Sequence, residues 1–125
     1  MKKKAIYYED DRNSRPVEEF INSFISKTKA KILARIIYLE SHWQELRRPY
    51  VDTLTEGLYE LRVIYSGNQI RVIYAYMFKD YIVLLHGFIK KTGAVSQEDM
   101  LKAKNRMCDF QIRYNKGKIK LPGIG

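Results

Sequence analysis

LYELRVIYSGNQIRVIYAYMFKDYIVLLHGFIKK, residues 58–91, decides the fold. β-branched and aromatic residues dominate it, and SGN and FKD interrupt it where turns belong, so it reads as three consecutive β-strands in an antiparallel meander. Most of the stretch is apolar, yet Glu60, Arg62, Arg71, His86, Lys90 and Lys91 are set into it. Charges inside strands are costly unless part of one face is a working surface.

Turn length fixes which residues share a face. A two-residue turn at Ser66-Gly67 or Gly67-Asn68 puts Arg62 and Arg71 on the same side. A Lys79-Asp80 turn puts Ile73 opposite His86 and Arg71 opposite Phe88. One face then carries Glu60, Arg62, Arg71 and His86, with Lys90 at the strand's exit. Tyr59, Leu61, Val63, Val72, Tyr74, Val83 and Leu85 are expected on the other face, as the core.

Working outward, Lys4 to Tyr8 predicts a first strand that ends in the polar run Glu9 to Asn13. Pro16 suits the first turn of a helix, Glu18 and Glu19 complement its dipole, and Val17, Phe20, Ile21, Phe24 and Ile25 recur at helical spacing up to about Lys27. Thr28 is the expected cap of a second helix whose stripe is Ile32, Leu33, Ile36, Leu39, Trp43 and Leu46, ended by Pro49. The short link predicts an antiparallel hairpin packed on the sheet, with His42 and Trp43 read as packing or surface residues. Residues 47–57 read as a loop. Ser96 with Asp99 predicts the cap of a third helix, carrying Met100, Leu101, Lys104, Met107, Cys108 and Phe110. The fold class is therefore α+β: a small, mainly antiparallel sheet with an N-terminal helical hairpin and a C-terminal helix, in the order β-α-α-β-β-β-α. One domain is expected over residues 1–114, and residues 115–125 as a basic, mobile tail.

Composition narrows the function. The 125 residues hold 23 Lys+Arg against 14 Asp+Glu, a formal charge of +9. Such a field favours polyanions such as RNA, DNA or the ribosome, or an acidic protein, over a neutral metabolite; the competing reading is ordinary solubilising charge. No apolar run is long enough to span a bilayer and the first residues lack a secretory signal, so a cytoplasmic location is expected. A lone Cys108 agrees with a reducing compartment. No P-loop, G-x-G-x-x-G, H-E-x-x-H or G-x-S-x-G occurs, and two histidines with one cysteine on three different elements are a poor zinc set, so neither metal nor organic cofactor is expected.

The remaining chemistry lies in Arg62, Arg71, Lys90 and Lys91 with Glu60 and His86. Two guanidiniums on one rigid face could bind a scissile phosphate and stabilise its transition state. RNA supplies its own nucleophile in the adjacent 2′-hydroxyl, so a ribonuclease needs only positioning, charge stabilisation and proton transfer. A lysine crowded by other cations gives up its proton more readily, which makes Lys90 or Lys91 a candidate acid or base, with His86 the other. Equally open from spacing is that the arginines simply pair with Glu60 and neighbouring acids across the strands.

The ordered combination of G-L-Y-E-L-R (57–62), Q-I-R-V-I-Y (69–74), L-L-H-G-F-I-K-K-T (84–92) and A-K-N-R (103–106) resembles the RelE/ParE toxin superfamily, and within it the HigB-like, phage-derived branch, over about residues 4–112. The resemblance implies a toxin of a type II toxin–antitoxin system that cleaves messenger RNA on the translating ribosome and is neutralised by an antitoxin, typically a helix-turn-helix protein, through which it would oligomerise. It implies Arg62, Arg71, Lys90 and Lys91 as catalytic, with His86 in its H-G-F context either catalytic or structural, and Tyr114 as the late tyrosine of such enzymes. The chain from Arg113 onward is itself basic, so Arg113, Tyr114 and Lys116 are the candidate RNA-binding residues, against the reading of a plain solvated tail. Two rivals remain: a ParE-like, non-catalytic inhibitor of DNA gyrase, and a plain basic nucleic-acid-binding module.

Overall fold

The computed structural model of the protein describes residues 1–91 and 93–123. Its order is β1 (Lys4–Tyr7), α1 (Pro16–Asn22), α2 (Ser26–His42), β2 (Val51–Thr53), β3 (Tyr59–Tyr65), β4 (Asn68–Met77), β5 (Tyr81–Ile89) and α3 (Gln97–Asn115). The five strands form one sheet in the order β1-β5-β4-β3-β2, antiparallel except for β1 on β5. The chain is thus α+β, with a helical hairpin at one end of the sequence and a long helix at the other. No helix among the described residues is long and apolar enough to cross a membrane.

The two hairpin turns behave differently. Tyr65 pairs with Asn68, so Ser66-Gly67 is a two-residue turn with both residues at positive φ, which matches the strands' twist. The second turn has three residues, Phe78 to Asp80, because Met77 pairs with Tyr81. A register shift between Ile73 and Tyr74 then leaves Leu85 as an extra residue on β5 and restores the expected pairs, Ile73 with His86 and Arg71 with Phe88. Turn and bulge cancel at the functional end of the strands but not between them. Val83 and Leu85, expected beside Tyr59 and Leu61, consequently lie on the opposite face with Ile73 and Ala75.

Both faces of the sheet are core. The hairpin's Val17, Ile21, Ile32, Ile36 and Leu39 bury Leu61, Val63, Ile70, Val72 and Tyr74. On the other side Ala103 and Phe110 of α3 cover Ile73, Ala75, Val83 and Leu85, and Ile119 and Leu121 of the tail pack there too. Arg62, Arg71 and His86 lie at one end of this second face.

Three local expectations are corrected. α1 stops at Asn22, short of Lys27, as the Ser23 N–H turns back to Glu19 and Phe20. Thr28 is not a cap but the buried third residue of α2, which begins after extended Ile25 with no side chain capping it. Residues 47–57 contain β2, where buried Val51 pairs with Leu61 and Asp52 with Glu60; three residues are too few to show a periodicity. Ser96 does cap α3, its Oγ accepting from the Asp99 N–H at 3.1 Å. Thr92 and the last two residues of the expected tail lie outside the described residues.

Candidate functional site

Arg62 and Arg71 are directly opposite one another on β3 and β4. Like charges in that position repel, and Glu60 relieves the repulsion from between them. Its Oε1 accepts from Arg62 Nε at 2.9 Å, and its Oε2 lies 3.5 Å from Arg71 Nε, close enough for an ion pair but not aligned for a hydrogen bond. Asp52 on β2 takes Arg62 Nη2 at 3.0 Å and Arg48 Nε at 3.0 Å. Three arginines and two carboxylates therefore form one network across the end of the sheet.

The network is graded in exposure. The Glu60 side chain is 1% exposed, that of Arg71 4% and that of Arg62 22%. Burial lowers the Arg71 guanidinium's pKa, Glu60 opposes that shift, and Arg62 adds to it. Arg71 Nη2 also donates to Gln69 Oε1 at 2.9 Å. Gln69 in turn holds Lys90, whose N–H donates to the Gln69 carbonyl at 2.8 Å, so the chain at Lys90 continues β5 alongside the arginine pair. Lys91 follows it, exposed.

His86 joins the same face one row deeper and is held on both sides. Its Nε2 lies 2.6 Å from Asp99 Oδ1, and Arg106 Nη1 lies 3.3 Å from its Nδ1 while donating to the Leu85 carbonyl at 2.9 Å. Arginine only donates, so Nδ1 carries the lone pair and Nε2 the proton, a neutral ring. Burial lowers the His86 pKa, Asp99 pulls it back, and Arg106 and Lys102 reinforce the fall. Ser96 Oγ donates to Asp99 Oδ2 at 2.7 Å, so the cap of α3 also fixes the histidine's partner. Proton transfer through His86 requires one of these bonds to open. No local pattern marks Arg106, Asp99 or Asp52 as partners; Arg106 is visible only as the last letter of A-K-N-R.

The C-terminal trio lies elsewhere. Arg113 donates from Nε and Nη2 to Asp109 Oδ2 at 3.1 and 2.8 Å, and Tyr8 Oη donates to the same oxygen at 2.7 Å. Tyr114 packs on Phe78 with ring centroids 4.3 Å apart. Phe78 lies just past the far end of β4 from Arg71, roughly 20 Å away at strand rise. The structure thus brings Arg62, Arg71, His86 and Lys90 together and leaves Arg113, Tyr114 and Lys116 away from them.

Residues 19–108 match the family described as phage-derived protein Gp49-like (DUF891). This span is most of the chain and includes every member of the arginine and histidine networks, so the protein belongs to that family, one associated with the toxins of toxin–antitoxin systems. No curated protein matches the chain.

Proposed function

We propose that the protein is the toxin of a type II toxin–antitoxin system and cleaves messenger RNA on the ribosome as a metal-independent endoribonuclease of the RelE/HigB kind. The observation that carries this reading is the Arg62–Glu60–Arg71 triad, set at the end of a sheet whose two faces are mainly apolar core. Burying three charges stabilises a fold poorly compared with apolar residues of the same size, so their presence is better explained by work done on an anion.

In this reading Arg62, the partly exposed member, offers its remaining N–H groups to the scissile phosphate. Arg71 behind it adds positive field to the transition state, and the carboxylates hold both guanidiniums in fixed directions. The 2′-hydroxyl attacks the phosphorus in line, forming a 2′,3′-cyclic phosphate as the P–O5′ bond breaks; one proton leaves the 2′-oxygen and one reaches the departing 5′-oxygen. Lys90 or Lys91 at the strand's exit, or His86 once released from Asp99, moves the protons. The partners are the ribosome with its mRNA and a helix-turn-helix antitoxin, met in the cytoplasm.

One observation favours a second reading. Glu60 and Asp52 already neutralise much of the arginine charge, which suits a non-catalytic toxin that acts by protein contact, as a gyrase inhibitor would. Expression in bacteria of the protein and of Arg71→Ala, with transcript 5′ ends mapped during growth arrest, separates the two. New 5′ ends that vanish in Arg71→Ala support the ribonuclease; arrest with intact messages and halted DNA replication sinks it.

A further inference from the structure

We propose that the aromatic depression beside β2, formed by Trp43, Tyr59 and Tyr76 and rimmed by Arg47 and Arg48, is a subsite that stacks a base of single-stranded RNA. It rests on the ribonuclease reading for its substrate, and extends the site beyond the arginine pair.

The depression measures about 840 Å³ and lies where the C-terminal end of α2 meets β2. Tyr76 stands 5.3 Å from Trp43 and 4.8 Å from Tyr59, ring centre to ring centre, at inclined angles. Fully buried Tyr74 backs them, 5.6 Å behind Tyr59. All three lining rings are only partly buried, so the platform is rigid yet reaches solvent. Lys3 Nζ lies 4.5 Å from the Trp43 ring centre and 5.7 Å from that of Tyr76, so a cation already sits at one side of the rings.

Charge complementarity selects the occupant. Arg47 is tethered through Nη1 to the Gln44 and Leu46 carbonyls at 3.0 Å each, which leaves its other donors at the rim. The Arg48 side chain is 74% exposed and anchored by Asp52. Aromatic faces flanked by guanidiniums recognise a base and its phosphate together, with little preference among bases. A neutral apolar ligand would leave the arginines idle, and an acidic peptide would leave the rings without a stacking partner.

Asp52 connects this subsite to the arginine pair. The same carboxylate holds Arg48 on the pocket side and Arg62 on the catalytic side, across an edge strand of only three residues. Tyr59 and Arg62 are about 10 Å apart along β3 at strand rise. A single strand passing round β2 would meet the platform and the phosphate site in turn, which places the platform next to the scissile bond.

Trp43 is the only tryptophan in the chain, so its fluorescence reports on this pocket alone. Titration of the intact protein with short single-stranded oligoadenylate should quench that emission saturably. Tyr76→Leu should weaken the apparent affinity about 5- to 150-fold, the usual consequence of losing one stacking ring. Should Tyr76→Leu fail to fold, the exposed-rim variant Arg48→Gln should still reduce affinity and flatten its salt dependence. Absence of quenching, or equal quenching by heparin and by duplex RNA, overturns the subsite. Quenching without cleavage on ribosomes keeps the subsite and removes the nuclease, whereas cleavage without quenching does the reverse.

Discussion

Glu60 sits between Arg62 and Arg71 with one carboxylate oxygen turned to each, so the two cross-strand guanidiniums are fixed by a side chain that is itself 1% exposed. The cost and the use of this arrangement are measurable separately, because the three residues couple tightly and little water screens them.

Glu60→Gln removes the negative charge and leaves two facing guanidiniums, one of them buried. Breaking a buried ion pair from one side costs about 3–5 kcal/mol, so the urea midpoint should fall sharply. The double variant Glu60→Leu/Arg71→Met replaces the pair with apolar atoms while Arg62 keeps Asp52. It should recover most of that loss and remain non-toxic. A double variant no more stable than Glu60→Gln would mean that Arg71 is held by its other contacts and not by Glu60.

Gly87 pairs with Val72 on the face covered by the hairpin, and a Cβ there would run into the ring of Phe20 on α1. Backbone strain is not involved. Gly87→Ala should therefore destabilise the fold by about 1–3 kcal/mol through overpacking, read from thermal or urea unfolding. Adding Phe20→Leu should return part of it. Full stability in Gly87→Ala alone would show that α1 can move off the sheet at little cost.

How much of this was legible in residues 58–91 follows from what each feature depends on. The Ser66-Gly67 turn is local, so the Arg62–Arg71 pairing could be read from spacing. The pairing of Ile73 with His86 also came out as expected, but through a three-residue turn and a bulge at Leu85 that compensate. Nothing in the letters separates that pair of irregularities from a simple two-residue turn, and so spacing alone places Val83 and Leu85 on the wrong face. The neutralising partners were hidden for a different reason: Asp52 lies on a strand too short to recognise, and Asp99 and Arg106 reach His86 only because α3 packs across β5. The α3 cap, Ser96 with Asp99, was readable since its two members are three residues apart.

Arg113 and Lys116, both expected to touch RNA, should behave differently when replaced. Arg113 is clamped to Asp109 beside Tyr8, so Arg113→Ala should lower stability by about 1–2 kcal/mol, held to that range because Asp109 is 44% exposed and water screens the pair. Lys116 is exposed at the end of α3, and Lys116→Ala should change stability by less than about 0.5 kcal/mol. Thermal midpoints with an RNA-binding titration decide it. If Arg113→Ala melts unchanged while binding weakens, Arg113 belongs to an interface after all.

His86 gives stability a pH dependence whose sign can be worked out. Burial holds its pKa below the ordinary histidine value of about 6.5, which it regains on unfolding. Between those two values the unfolded chain binds the proton and the folded chain does not, so acid favours unfolding. Stability attributable to His86 should be intact above about pH 6.5 and lost as pH falls through the folded-state value. Asp99, whose pKa is also lowered, adds its own loss only further into acid, below the ordinary carboxylate range. Protonation would place a cation at Nδ1 against Arg106 and break that one contact between β5 and α3. His86→Asn should flatten the slope of unfolding free energy against pH just below 6.5, measured by urea unfolding across a buffer series. An unchanged slope in that variant would assign the acid sensitivity to other groups and leave His86 with a packing role alone.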